Sequence, residues 1–92
     1  MRAEITEKYL YRCYEDLAIL YEKHSNIYVL LEDIFADMFC VLMNEDEEQE
    51  YIIQKIVEIY DVDYDTISAD FKEFSEQINS LLAIQNVGHQ AN

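Results

Sequence analysis

Nucleophiles and metal ligands are sparse in this chain: Cys13, Cys40, His24 and His89 are the cysteines and histidines that could attack, ligate or shuttle a proton. A structural zinc site takes about four Cys or His ligands at short paired spacings, and no CxxC pair occurs. Neither cysteine has a histidine or basic residue at helical spacing to lower its pKa, so both read as small buried hydrophobes, too few for a disulfide scaffold. His24 sits beside Ser25 in a polar turn, and His89 lies in the aperiodic C-terminal segment. Carboxylates are plentiful, yet none pairs with a nucleophile or metal signature. The acidic run at 45–50 lacks the alternating acidic ligands and central glycine of a calcium-binding loop, which leaves it solvation and help to a helix start. No catalytic residue, metal or cofactor is expected, and the chain does not read as an enzyme.

What remains is recognition. Ile27, Tyr28, Val29, Leu30 and Leu31 form a run that is apolar on both faces and contains no Lys, Arg or Pro. Those residues normally stop a sheet edge from recruiting another strand. A strand here is expected to accept a peptide or, alternatively, a second copy of the chain, since an open apolar edge also drives symmetric dimers.

Composition bounds the partner. The net charge is -14, from 20 acidic and 6 basic residues, whereas nucleic-acid binding draws its nonspecific affinity from Lys and Arg. No nucleic-acid partner is therefore expected, and the same charge favours basic proteins or basic peptide segments, or serves simply as a solvated surface. Ninety-two residues make one small domain, with 51% apolar residues, eight Tyr and four Phe to fill a core. No apolar run is long enough to span a bilayer, and Met1-Arg2-Ala3-Glu4 lacks the blocks of a signal peptide. A cytoplasmic protein with no membrane partner is expected.

The elements that must position the apolar run follow from periodicity. Tyr9–Tyr14 and Leu17–Glu22 alternate as two hairpin strands around Glu15-Asp16, and the polar Lys23-His24-Ser25-Asn26 turn leads into a third strand over 27–31. At Glu32-Asp33 the period changes: Ile34, Phe35, Met38, Phe39 and Leu42 form one helical stripe that Asn44 can end. Ile52, Ile53, Ile56, Val57 and Tyr60 form a second stripe, after a loop that merges into its first turn. Asp65 or Thr66 is expected to cap a third helix, on which Ile67, Phe71, Phe74, Ile78 and Leu81 recur at steps of four and three. The fold class is α+β, one domain over 1–84 with a flexible tail at 85–92.

Read as one string, 11–22 through Ile27-Tyr28-Val29-Leu30-Leu31-Glu32, then Ile56-Val57-Glu58-Ile59-Tyr60-Asp61-Val62-Asp63 and Ile67-Ser68-Ala69-Asp70-Phe71-Lys72-Glu73-Phe74, the chain resembles the PqqD-like family over about 9–84. Members of that family are recognition elements for ribosomally made, post-translationally modified peptides. The family's Asn at Glu32, its glycines near Leu17-Ala18 and the end of the third helix, and its Asp-Gly near Met43-Asn44 are absent here. Those residues serve turns and caps, so local geometry should differ there, and pyrroloquinoline quinone production is not what the resemblance implies.

The resemblance implies a winged helix-turn-helix with an N-terminal three-stranded antiparallel sheet followed by three helices. It implies a non-catalytic module that captures the leader of a precursor peptide and presents it to a modifying enzyme, often a radical-SAM protein. The leader would add as a strand beside Ile27, Tyr28, Val29, Leu30 and Leu31, in a groove faced by Ile67, Asp70, Phe71, Phe74 and Ile78. That helical stripe is first of all core, and only some of it can also line a groove.

Overall fold

The structure is a computed structural model that describes the backbone of residues 1–91 and the side chains of residues 1–83. Helix α1 (Arg2–Lys8) leads into strands β1 (Tyr9–Tyr14), β2 (Leu17–Glu22) and β3 (Tyr28–Glu32), and helices α2 (Asp33–Asn44), α3 (Gln49–Tyr60) and α4 (Tyr64–Ala91) follow. The three strands form an antiparallel meander in the order β1-β2-β3. This is the expected α+β order of sheet then helices, with one helix more at the front. The third strand runs one residue later than 27–31, and Ile27 stands just before it, its carbonyl accepting the Glu22 N–H at 2.8 Å and closing the β2–β3 connection. The expected tail at 85–92 falls on residues whose side chains lie outside those described.

Alternation sorts the strand residues onto two faces. Ala18, Leu20 and Leu31 point inward and are buried with Met38, Phe39 and Leu42 of α2, Ile52, Ile53 and Ile56 of α3, and Ile67, Phe74 and Ile78 of α4. Helix α2 packs on β2 and β3 on one side and on α3 and α4 on the other, so it is the shared centre of the core.

With a single glycine in the chain, Asp and Asn take the left-handed backbone positions: Asp16 at φ 59°, Asn26 at 60°, Asp33 at 53° and Asp61 at 53°. These are the side chains that tolerate that region best after glycine. Asp33 also extends the β2–β3 ladder past the strand end, its N–H donating to the Asp16 carbonyl at 3.0 Å. The β2–β3 turn is tied from below by Glu22, a buried carboxylate whose Oε2 accepts the backbone N–H groups of His24 (3.1 Å) and Ser25.

Two expectations about local chemistry are corrected. The cap of the last helix is Asp63, not Asp65 or Thr66: its carboxylate accepts the Thr66 N–H at 3.2 Å and the Thr66 hydroxyl at 2.8 Å, the N-cap to N3 pattern. Those bonds hold the Asp63 carboxyl below its ordinary pKa, the hydroxyl contributing most. Cys13 and Cys40 are not independent small hydrophobes but one disulfide, with Cα atoms 5.9 Å apart. It joins β1 to α2, which the alternation of β1 and the stripe of α2 bring face to face.

Helix α1 is held by long-range bonds rather than by an apolar stripe of its own. Ile5 is its one buried residue. The Arg2 guanidinium donates from Nε and Nη2 to the Leu42 carbonyl at 3.0 and 2.9 Å, satisfying a carbonyl near the end of α2. The terminal ammonium lies 3.2 Å from Glu4 and 3.3 Å from Glu47, and its pKa is raised, chiefly by the bond to Glu4.

Candidate functional site

β3 pairs with β2 on one side only, through Tyr28 with Tyr21, Val29 with Leu20, Leu30 with Ile19, Leu31 with Ala18 and Glu32 with Leu17. In an antiparallel ladder the hydrogen-bonded pairs alternate. The bonds from Glu22 N–H to the Ile27 carbonyl and from Asp33 N–H to the Asp16 carbonyl fix which pairs those are. Val29 and Leu31 therefore turn their backbone groups toward β2, while Tyr28 and Leu30 turn theirs outward, where no backbone partner is found among the described residues. The edge presents the donor and acceptor spacing that an incoming strand requires.

The side chains on this edge divide by the same parity. Val29 is half-buried and Leu31 buried, both packed against the core, whereas Tyr28 and Leu30 are exposed on the opposite face. Ile27 is exposed just before the strand. The Tyr28 ring lies 4.9 Å from that of Tyr21, and the Tyr21 hydroxyl donates to the Asn26 side chain, so the first part of the edge is braced from within.

On the helix side, Ile67, Phe71, Phe74 and Ile78 are buried core residues, and Asp70 alone of the five is half-buried. Helix α4 packs on α2 and α3 rather than mainly on β3. The contact surface between β3 and α4 is therefore contributed by α2: its half-buried Phe35 sits 6.2 Å from the Phe74 ring, which in turn is 5.8 Å from Phe71. Phe35 was missed as a groove candidate, although Ile34 and Phe35 are adjacent apolar residues and a helix cannot point both squarely into one core.

Other polar groups near the helices brace the scaffold. The Tyr60 hydroxyl donates to Asp37, joining α3 to α2; burial first, then that carboxylate, pushes the phenol above its ordinary pKa. The Tyr64 hydroxyl donates to Glu50 at 2.7 Å and ties α4 to α3. Among the described residues, no cluster of three His, Cys, Asp or Glu side chains is arranged to hold a metal ion. No described helix is long and apolar enough to cross a membrane. Compared with protein-family models, curated proteins and solved structures, the chain matches none.

Proposed function

We propose that this domain is a peptide-recognition module that takes an extended segment as a fourth strand at β3, in the manner of the PqqD-like elements its sequence resembles. In this reading the meander is the wing, and α3, the Asp61–Asp63 turn and α4 are the helix-turn-helix. The segment is the leader of a ribosomally made precursor, which the domain hands to a modifying enzyme, itself contributing no chemistry. The observation that carries the reading is the outward-facing backbone of Tyr28 and Leu30 on a terminal strand with no Lys, Arg or Pro. Main-chain bonds along that edge supply affinity. Alternate side chains of the guest then meet Tyr28 and Leu30 on one face and the Phe35 region on the other. A buried Leu or Tyr anchor is worth about 1.5–3 kcal/mol, which suits reversible, micromolar-class capture. The acidic surface favours leaders with basic residues.

The test is a fluorescence titration of labelled leader peptides encoded by short reading frames beside this protein's gene. Leu30→Pro removes an outward N–H and leaves the β2 ladder intact, so it should weaken binding at least about tenfold with circular dichroism unchanged. Tyr28→Pro, at the first strand position where proline is tolerated, is the second variant should Leu30→Pro unfold the sheet. Wild-type affinity in a folded variant, or no binding by any such leader, would reject the reading.

A further inference from the structure

The outward face of the sheet is more apolar than the solvated face of a sheet covered on one side ordinarily is. By register its nine positions fall in three rows, Leu10-Tyr21-Tyr28, Arg12-Ile19-Leu30 and Tyr14-Leu17-Glu32. Seven are apolar or aromatic, on a face where an antiparallel sheet covered on one side ordinarily alternates to polar residues. Leu10, Tyr14, Tyr28 and Leu30 are 58%, 51%, 66% and 57% exposed. Among the described residues no helix covers them: α2 lies on the other face, and an open groove beside Thr6 runs along Leu10, Arg12, Ile19, Tyr21 and Tyr28.

We propose that this face is the interface of a two-fold homodimer, packed sheet against sheet. Charge selects a second copy over other partners. The chain carries -14 overall, yet the nine positions hold one cation, Arg12 on β1, and one anion, Glu32 at the far end of β3, and Lys23, whose Nζ donates to the Thr6 carbonyl at 2.8 Å, adds a cation at the rim of the groove. This face therefore lacks the acidic excess of the rest of the molecule, so basic partners are drawn to other surfaces while a second copy of the same apolar face fits here. A two-fold axis between the sheets, close to the strand direction, lays β1 of one protomer over β3 of the other and brings Arg12 toward the partner's Glu32. The self-complementarity is thus already present in one chain. With the half-buried Leu17, Ile19 and Tyr21, the apolar area is on the order of 500 Å² per protomer, at the upper end of what a typical monomer exposes as one patch. Doubled across the axis and enlarged by its rim, it reaches the roughly 1,200 Å² at which specific interfaces begin. The β3 edge stays open, so each dimer offers two peptide-accepting edges.

Sedimentation velocity on the full chain across a concentration series tests the proposal without any peptide. The wild type should dimerise, and Leu10→Lys, remote from the β3 edge, should raise the dimer dissociation constant at least about tenfold while circular dichroism stays that of the wild type. Arg12→Glu should weaken the dimer, and Arg12→Glu combined with Glu32→Arg should restore it. A wild-type protein monomeric at every concentration, a dimer indifferent to Leu10→Lys, or a charge swap that fails to restore association in a folded double variant would each overturn it. Indifference to Leu10→Lys with protection of the Tyr28 and Leu30 amides would assign the dimer to the edge instead.

Discussion

The two edges of the sheet are built from similar residues and are secured very differently. β1 is fastened to the helical layer three times: by the Cys13–Cys40 disulfide, by the edge-on contact of Tyr11 with the Phe39 ring at 5.5 Å, and by the Tyr11 hydroxyl donating to Asn44 at 3.2 Å. It also carries Arg12 and is preceded by α1. Beyond its pairing with β2, β3 is held to the helical layer, among the described residues, by the inward packing of Val29 and Leu31 and by the continuity of the chain into α2. Stability is therefore concentrated at one edge, and the other is left able to gain a strand without first losing contacts.

Breaking the secured edge should cost the most. Phe39→Ala, in a fully buried site under Tyr11, is expected to destabilise by about 3–5 kcal/mol, read as a lowered urea midpoint. Opening the disulfide releases a loop with a sequence separation of 27 residues. The chain-entropy relation gives roughly 3.5 kcal/mol for a loop of that length, so the midpoint should fall on reduction and in Cys13→Ser/Cys40→Ser alike. A midpoint indifferent to reductant would remove the covalent half of the contrast.

The alkaline and acid limbs sharpen it further. Tyr60 has a folded pKa raised above its unfolded value, so the folded state prefers the neutral phenol. Its contribution is complete below about pH 10 and lost as pH rises from there toward the folded value. Ultraviolet titration should show Tyr51, Tyr60 and Tyr64 ionising late, and Asp37→Asn should move the Tyr60 transition alone to lower pH. Asp63 runs the opposite way: its lowered pKa makes the cap fully effective above the ordinary carboxylate range and weakens it as pH falls through the folded value. Asp63→Asn keeps a capping oxygen and should remove that acid dependence, seen in the helical signal. The smallest effect belongs to the open edge. Leu30→Ala should change monomer stability by less than about 0.5 kcal/mol, measured below the concentration of any association.

Much of this architecture was legible because two periods are written plainly into the chain. Tyr9–Tyr14 and Leu17–Glu22 alternate, and Ile67, Phe71, Phe74 and Ile78 repeat at helical steps, which fixes element type and order. Helix α1 was not legible, since its sequence has one core residue, Ile5, and depends on Arg2 finding the Leu42 carbonyl 40 positions away. The disulfide was hidden for the same reason: only the fold brings Cys13 over Cys40. At the site, the unguarded strand could be read from residue types alone. The facing helix could not, because a stripe of Ile and Phe has the same spacing whether it fills a core or lines a groove, and here it fills the core. Which amides face outward depends on the pairing of Glu22 with Ile27, a register that no residue type encodes.

Amide hydrogen exchange at β3, with and without a bound leader peptide, tests strand addition most directly. Val29 and Leu31, already bonded to β2, should be protected in both states, while Tyr28 and Leu30 should exchange freely alone and become protected in the complex. A leader that binds while the Tyr28 and Leu30 amides exchange as before would contradict the account.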